Sequence, residues 1–379
     1  MTTQVLSEKI PEIRLTGDIT NMSKRKKKVL HFQFIRSGEI LSGYANTNWQ
    51  GDSSSTWDKK AYRIKTYRDA ALTEKLSFKP TAHWLAASKW NLKAYFTDPT
   101  QTRDVVAANL GAEIWSTQKK TPLSMIKSSN FGFVDSFPIN LYINDEYAGL
   151  YSFNIPKGDY GDTKAQIEGV TYSKVTQFSE YPEGGAKING SDFSLNQPDY
   201  MTSEIKASFN KMLQFMVEST DEEFENNMDQ YADVEALVDY LLFTNIIGNT
   251  DAWGKNQQWI TYDLKKWYIH PYDLDASLGG EWNGHLNPKL GVNNGQHQLF
   301  NRLKTAFPEA IKARYAELRT WLTPAHVINL YHEKMDAISE TNYARELAKW
   351  QEPNADKYTA QQLTDYIIDR FHKCDNEWL

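Results

Sequence analysis

Two stretches of the sequence decide its fold class: Gly248-Asn249-Thr250-Asp251-Ala252-Trp253-Gly254-Lys255-Asn256 and, further along, Tyr272-Asp273-Leu274-Asp275. Phosphoryl transfer to a hydroxyl uses one carboxylate that orients the attacking group. It also uses an Asn oxygen and a further carboxylate that hold the magnesium bridging the phosphates. Asp251 and Asn256 have the five-residue spacing of these groups in protein kinases, and Asp273 follows like the later metal carboxylate. The usual His-Arg before the first Asp is absent, so a kinase with this pattern would be an atypical one.

The Asp-x-Asp pair predicts a metal site. Residues i and i+2 of an extended chain point to the same side, so Asp273 and Asp275 would bring two carboxylates together. Such carboxylates repel each other without a counter-cation, and magnesium prefers hard oxygen ligands. Three other interpretations remain open: Asp251 as a turn or cap residue, the pair as a surface strand end, and the pair as the metal site of a glycosyltransferase. The absence of a βαβ pattern before the pair argues against the last.

Residues 49–65 form the other unusual segment, in which a loop of small residues leads into a strand with basic side chains. Gly51, Ser53 and Ser54 would let backbone N–H groups approach phosphate oxygens, and a lysine of the following strand would direct its ammonium at them. The segment therefore predicts a phosphate-binding loop. An ordinary surface loop of the same composition is the alternative.

The basic side chains of the predicted strand divide between its two faces. Arg63 and Lys65 share one face and Lys60 lies on the other, so only one set can face a nucleotide. The strongest basic run is residues 24–28, between two predicted strands. We interpret it as a solvated turn that guards a sheet edge, with a phosphate-binding patch as the alternative.

The composition narrows the class of protein. A net charge of −6 at pH 7 argues against nucleic-acid binding through bulk charge, so no nucleic-acid partner is expected. No apolar run approaches the ~18 residues of a membrane span, and residues 1–14 lack the apolar core of a signal peptide. Cys374 is the single cysteine, which excludes an internal disulfide and fits synthesis in a reducing cytoplasm.

The hydrophobic pattern predicts an α+β fold with two lobes. Residues 1–157 are expected to form a β-rich lobe, 158–200 an irregular connector or insert, and 201–379 a helical lobe. The expected strands of the first lobe are 12–16, 29–35, 40–47, 61–67, 137–143 and 147–155. A small hairpin, 258–262 and 266–270, is expected directly before Asp273.

Helix boundaries are predicted from capping residues. Asp98 is expected to cap a helix with Gln101 as its capping-box partner, although Asp98 and Arg103 can also form a purely structural cap and ion pair. Asp233 is expected to cap a helix that ends at Gly248. Further helices are expected over 309–322, 324–338, 343–350 and 359–373.

Together these segments resemble the CotH kinase family, the spore-coat-type atypical kinases. They resemble more closely the CotH-like domains in tail or baseplate proteins of bacteriophages that infect Gram-positive bacteria. The resemblance covers about residues 10–300 in the family's order. The matching segments are Gln50–Ser54 with Lys59–Lys65, Lys93–Thr100 with Arg103, Tyr147–Lys157, Asn249–Asn256, and Tyr272–Asp275 with Gly279. The resemblance implies an atypical protein-kinase-like, two-lobed fold.

The resemblance also implies roles for individual residues. Asp251 would be the catalytic Asp, Asn256 and Asp273 would bind Mg²⁺, and Asp275 would be a supporting metal carboxylate. The other implied residues would bind the phosphates of ATP or support the site: Gly51, Ser53, Ser54, Lys60 or Lys65, and Arg63, Arg103 and Lys255.

The implied activity is transfer of the γ-phosphate of Mg-ATP to Ser or Thr hydroxyls of a protein substrate. Spore-coat members usually carry a Glu after the Gly-x-Tyr strand, near the adenine ring. Ile155-Pro156-Lys157 stands there in this chain, as in the phage-type relatives. A second interpretation is therefore open, in which the protein is a structural or host-attachment component of a phage tail or baseplate with little or no kinase activity. Its partners would then be other phage structural proteins, and its place the virion.

Overall fold

The computed structural model describes residues 10–51, 53–158, 160–169, 193–249, 252, 256–281, 283–286, 298–350 and 360–379. These residues form an α+β fold, as predicted. Contacts divide the chain into a first unit, Met1–Val105 with Val134–Pro156 and Tyr331–Ala355, and a second unit, Val106–Phe133 with Lys157–Leu330 and Asp356–Leu379. No described helix is long and apolar enough to cross a membrane. The two-lobed kinase-like arrangement stays a prediction.

A closed barrel of seven strands forms the core of the first unit. The strands are β1 (Glu12–Thr16), β2 (Lys28–Arg36), β3 (Glu39–Gln50), β4 (Ala61–Tyr67), β5 (Lys89–Lys93), β6 (Ser136–Ile143) and β7 (Glu146–Asn154). Their order is β1-β2-β3-β4-β5-β7-β6, and a parallel pairing of β1 with β6 closes the barrel. Side chains fill the interior, where the ring centroids of Trp90 and Phe153 lie 5.0 Å apart.

Local sequence explains two of the barrel's connections. In the turn Ser37-Gly38 the φ values are 50° and 84°, and in the turn Asn144-Asp145 they are 52° and 64°. Two consecutive positive φ values are typical of the hairpin turns that match the twist of the flanking strands. Strand β5 was not predicted, because only Trp90 and Leu92 of its five residues are apolar. It is required for closure, since it pairs with both β4 and β7.

The first helix, α1 (Arg103–Ser116), begins later than predicted. Gln101 has a φ of 57°, which is outside the helical region, so the expected capping box is wrong. Asp98 still caps the helix, because its carboxylate accepts the backbone N–H of Arg103 at 3.1 Å. The same carboxylate pairs with the Arg103 guanidinium at 3.1 Å. The interpretation of Asp98 and Arg103 as a structural cap and ion pair is therefore confirmed.

The helical part of the chain is largely as expected. The other described helices are α2 (Leu123–Ile126), α3 (Ser203–Glu218), α4 (Asp221–Asn227), α5 (Val234–Ile246), α6 (Gln298–Ala306), α7 (Pro308–Arg319), α8 (Pro324–Asp336), α9 (Glu340–Lys349) and α10 (Ala360–Trp378). The four helices predicted after residue 308 correspond to α7–α10, with shifted ends.

A four-stranded sheet lies in the second unit, in the order β11-β10-β8-β9. The predicted hairpin is confirmed as β10 (Gln257–Thr261) and β11 (Trp267–Pro271). Strands β8 (Ala165–Gly169) and β9 (Phe193–Gln197) come from the region predicted to be irregular. That prediction is wrong for these two strands. Strand β8 pairs with β9 and with β10, which lies far along the chain, so no local pattern reveals this sheet.

Helix α5 is the buried centre of the second unit. Its residues from Ala236 to Ile246 are buried, and Asp233 caps it by accepting the backbone N–H of Ala236 at 2.9 Å, as predicted. The helix also buries Asp239, which the guanidinium of Arg314 meets with two hydrogen bonds of 2.8 and 3.0 Å. A buried carboxylate requires such a partner.

Removing one partner of the Asp239–Arg314 pair should destabilise the protein strongly. Arg314→Leu leaves an uncompensated buried carboxylate, so we expect the free energy of unfolding to fall by about 3–5 kcal/mol. The control Arg68→Leu, which removes an exposed ion pair with Glu74, should cost less than about 1 kcal/mol. Urea unfolding followed by circular dichroism compares the two variants, and equal losses would contradict this prediction.

Candidate functional site

Asn256 and Asp273 lie at the same end of the β10–β11 hairpin. Gln257 pairs with Pro271 in the ladder, and the backbone N–H of Tyr272 donates to the carbonyl of Asn256 at 3.0 Å. Asn256 and Asp273 have φ values of 58° and 57°, a left-handed conformation in which Asn, Asp and Gly are favoured. The chain therefore leaves the ladder at both predicted magnesium ligands, one on each strand.

Asp273 and Asp275 do not lie on an extended chain. After the left-handed Asp273 the chain turns, and the Ser277 hydroxyl donates to the carbonyl of Leu274 at 2.6 Å. The argument that alternate residues of a strand point the same way is therefore wrong here. Among the described residues, no group of three or more His, Cys, Asp or Glu could hold a metal ion. Asp251 lies outside those residues, and the magnesium site stays a prediction.

The chain next to Asp251 is held by two side chains, although Asp251 and Lys255 themselves lie outside the described residues. Ala252 is fully buried, and its carbonyl accepts the Tyr240 hydroxyl at 2.5 Å and the Gln257 amide at 3.2 Å. Burial raises the pKa of Tyr240, so this hydroxyl keeps its proton and remains a donor. The backbone beside the predicted base is thus fixed between α5 and β10.

The C-terminal end of α5 is fixed by α10 and by the loop after the hairpin. Arg370 of α10 donates to the carbonyl of Asn245 and, at 3.3 Å, to its side-chain oxygen. The backbone N–H of Leu278 donates to the carbonyl of Ile247 at 2.7 Å. The segments that lead into Asp251 and out of Asp273 therefore share one anchor, the end of α5.

Lys157 is a charged residue of this region that the sequence analysis did not assign to the site. Its ammonium pairs with Glu168 of β8 and lies 4.9 Å from the centre of the Tyr272 ring. Since Tyr272 immediately precedes Asp273, Lys157 lies close to the hairpin end. The sequence signal for Lys157 was the segment Ile155-Pro156-Lys157, which stands in place of the usual Glu. Lys157 pairs with Glu168 of β8, and β8 pairs with β10, so this segment lies near the hairpin.

In the first unit, Lys60 lies on the predicted phosphate-binding loop. Its ammonium donates to the carbonyls of Ser55, at 3.2 Å, and of Trp57, and it lies 5.2 Å from the centre of the Trp49 ring. Gly51 has a φ of 101°, a conformation that side chains other than hydrogen rarely adopt. A short 3-10 turn, Ser53–Thr56, follows, and the side chains of Ser53 and Ser54 lie outside the described part.

The neighbouring Lys59, which sequence reasoning missed, is a structural residue. All three of its N–H donors are used: by the carbonyl of Ala94 at 2.9 Å, the carbonyl of Leu150 at 2.6 Å, and the carboxylate of Glu346 in α9. The other oxygen of Glu346 accepts the backbone N–H of Leu150 at 2.7 Å. Gly149 has a φ of 134°, which favours glycine, and a Cβ there would also approach Lys59 at 3.1 Å and Glu346 at 3.0 Å.

Arg63 and Lys65 face outwards from the barrel. Between them Ile64 is buried and pairs with Trp90, whereas Lys65 pairs with Lys89. The prediction that Arg63 and Lys65 share a face is therefore confirmed, and their roles at a nucleotide stay predictions. Burial, followed by the nearby cations, lowers the pKa of Lys65.

His270, the histidine nearest Asp273 in the sequence, is a buried core residue. Its ring lies 4.2 Å from the Phe133 ring and 5.0 Å from the Tyr160 ring, measured between centroids. Nδ1 and Nε2 face the carbonyls of Pro271 and Phe131 at 3.0 and 3.1 Å. A neutral imidazole has one N–H and donates to only one of them. Burial lowers the pKa of His270 from 6.5 to about 4.

A family model described as CotH kinase protein matches residues 48–372. This range covers most of the chain, so the chain belongs to the CotH kinase family. It contains the Gly51 loop, Lys60 and both ends of the hairpin. No curated protein matches the chain. The family resemblance is confirmed, and the link to phage tails or baseplates stays a prediction.

The adjacent lysines should differ in their effect on stability. Lys59→Met leaves Glu346 buried without its cation, and we expect the free energy of unfolding to fall by about 3–5 kcal/mol. Lys60→Met removes two hydrogen bonds from a half-buried ammonium and should cost about 1–2 kcal/mol. Thermal and urea unfolding measure both variants. A Lys60 variant as unstable as the Lys59 variant would contradict the assignment of Lys59 as the structural lysine.

His270 should make the protein less stable in weak acid. Its pKa in the fold, about 4, lies below the ordinary 6.5, so its contribution is complete above pH 6.5 and is lost as the pH falls towards 4. Between pH 7 and 4.5 this term amounts to about 2–3 kcal/mol. The urea-unfolding free energy of His270→Leu should therefore fall by that much less than the wild type's. The control His332→Leu, at an exposed position, should keep the wild-type pH dependence.

Proposed function

We propose that this member of the CotH kinase family transfers the γ-phosphate of Mg-ATP to Ser or Thr hydroxyls of a protein substrate. The strongest support is the shared position of Asn256 and Asp273 at one end of the hairpin, with the anchored Ala252 directly after Asp251. Phosphoryl transfer is catalysed mainly by positioning and by neutralising charge. Oxygen ligands at the hairpin end, with a base adjacent in sequence to the anchored Ala252, would supply both.

In this proposal Asp251 orients the acceptor hydroxyl and takes its proton. Asn256 and Asp273 hold magnesium, with Asp275 in support, and their amide and carboxylate oxygens are the ligands that this ion prefers. Magnesium, when bound, neutralises charge on the transferred phosphoryl group. The hydrogen bonds of Tyr240 and Gln257 to the Ala252 carbonyl keep the backbone beside Asp251 in place.

The ATP phosphates are assigned to the Gly51 loop and Lys60. Lys60 is favoured over Lys65 because its ammonium already lies on this loop, where it donates to the carbonyls of Ser55, in the 3-10 turn, and of Trp57, directly after the turn. If the Lys60 ammonium leaves these two carbonyls to bind a phosphate, it exchanges neutral acceptors for a charged acceptor. The hydrogen bond to the charged acceptor is the stronger one. Lys59 is excluded from this role because its three donors are committed to the fold.

A structural or host-attachment role in a phage tail or baseplate is the second candidate function. Lys157 favours this structural role. It belongs to the segment that departs from the spore-coat pattern, and its ammonium pairs with Glu168 and lies over the ring of Tyr272. An altered pocket for the adenine ring would leave the carboxylates in place without efficient ATP use.

Transfer of labelled phosphate from Mg-ATP to protein acceptors tests the proposal. Asp251→Ala should lower the rate at least about 100-fold, because a general base contributes that much or more. Asp199→Ala removes a carboxylate at an exposed position and should leave the rate unchanged. Equal labelling by wild type and Asp251→Ala would refute the kinase assignment. Calorimetric titration with Mg-ATP separates the second candidate, for which we expect no micromolar binding.

A further inference from the structure

The outer face of strands β2–β5 carries an unusual concentration of cations. Lys65 of β4 and Lys89 of β5 are direct partners in the antiparallel ladder. Arg63 is two residues from Lys65 on the same face. Lys27 and Lys75 are close enough to Lys65 to lower its pKa. Within the described part of the chain, no carboxylate forms an ion pair with any of the five. Lys28 contrasts with them, because Asp18 neutralises it at 2.5 Å.

The pairing of Lys65 with Lys89 is unfavourable for the fold itself. Side chains that face each other across antiparallel strands lie about 5 Å apart at Cβ, and like charges at that distance destabilise the sheet. Burial and the neighbouring cations both lower the pKa of Lys65. A ligand with negative charge would relieve this repulsion. The pair is therefore suited to binding an anion.

An aromatic row lies next to the cations on the same face. Tyr67 pairs with Tyr44, and Tyr44 pairs with His31, so the three rings cross β4, β3 and β2 in register. The ring centroids of His31 and Tyr44 lie 5.7 Å apart, edge to face. His31 is exposed and the two tyrosines are half-buried. Tyr67 and Lys65 are alternate residues of one strand, so the aromatic and basic rows lie about 7 Å apart.

We propose that this face, defined by Lys27, Arg63, Lys65, Lys75 and Lys89 with Tyr44, Tyr67 and His31, binds a short single-stranded nucleic acid. Cations that follow a phosphate backbone beside aromatic rings that stack on bases are the two parts of such a site. A row of rings would add little to the binding of an acidic peptide, which needs the charges alone. The four strands span about 15 Å, which gives room for about three or four nucleotides.

The net charge of −6 is compatible with this local site. It excludes binding through the charge of the whole molecule, and it limits the attraction to the face that carries these five cations. Salt should therefore weaken the binding strongly, and the site should hold only a short stretch of nucleic acid. The proposal is independent of phosphoryl transfer, because none of its argument uses the carboxylates of the second unit.

Fluorescence anisotropy with labelled eight-nucleotide oligo(dT) and oligo(rU) tests the proposal. We expect micromolar affinity at 50 mM salt for at least one of the two. The logarithm of the binding constant should fall with that of the salt concentration with a slope of about −2 to −3, as for three or four phosphates on a single strand. No binding at 100 µM protein would overturn the proposal.

Lys65→Glu is the decisive variant, because it should not harm the fold. A glutamate opposite Lys89 replaces a repulsion with an attraction, so the melting temperature should stay the same or rise. Oligonucleotide affinity should fall at least about 10-fold and the salt slope should become shallower by about 0.7 or more. The matched control Lys206→Glu makes the same charge change at an exposed position of α3 and should bind like the wild type. Wild-type affinity in Lys65→Glu would refute the site.

Competition experiments decide between nucleic acid and other anions. Tyr67→Leu should weaken oligonucleotide binding about 10-fold, since stacking contributes about 1–3 kcal/mol per base. It should leave the binding of inorganic polyphosphate unchanged. Polyglutamate that competes as well as an oligonucleotide of equal charge would assign the face to an acidic peptide instead, and would overturn the proposal.

Discussion

The arrangement of the first unit depends on the buried contact between Lys59 and Glu346. The two residues are 287 positions apart, yet each satisfies the other's charge while the remaining donors and acceptors are taken by the backbone of Ala94 and Leu150. This contact fixes α9 against β7, and it fixes the chain just before β4, next to Lys60. A buried ion pair of this kind adds little net stability, but it strongly disfavours any structure in which one partner is missing.

A second anchor organises the region around the hairpin end. The end of α5 receives hydrogen bonds from Arg370 and from the backbone of Leu278, while Tyr240 within the helix holds Ala252. These bonds join segments that are distant in sequence around one buried helix. Precision at a site of this type comes from such supporting contacts, because side chains on loops are placed only as well as their backbone is held.

The sequence was a good guide wherever structure is set by neighbours along the chain. Strand β4 was predicted with its observed bounds, and the caps and turns at Asp233, Ser37 and Asn144 follow from local chemistry. Strands β8 and β9 were missed because their sheet is built by pairings between distant segments, β8 with β9 and β8 with β10. The difference between Lys59 and Lys60 was equally invisible. Adjacent lysines have the same chemistry, and only the distant Glu346 decides which one is buried.

At the candidate site, the hairpin was predictable from the sequence but the backbone conformation at its end was not. The spacing of Asp251, Asn256 and Asp273 indicated the chemistry, and the hairpin that brings the last two to one end was expected. The extended Asp-x-Asp geometry was wrong, since Asp273 is left-handed. Sequence spacing is one-dimensional, and it carries no information on the sign of φ at a residue that tolerates both signs.

The left-handed backbone at Asn256 and Asp273 has an evolutionary consequence. Asn, Asp and Gly are the residues that such positions accept most easily, so the conformation alone would retain two of the residue types that chemistry needs. A relative that has lost catalysis can therefore keep both side chains for structural reasons, and their presence does not by itself separate an enzyme from an inactive descendant. Glycine is the residue that would satisfy the backbone and abandon the ligand. The appearance of glycine at either position would be the first recognisable sign that the site has lost its activity.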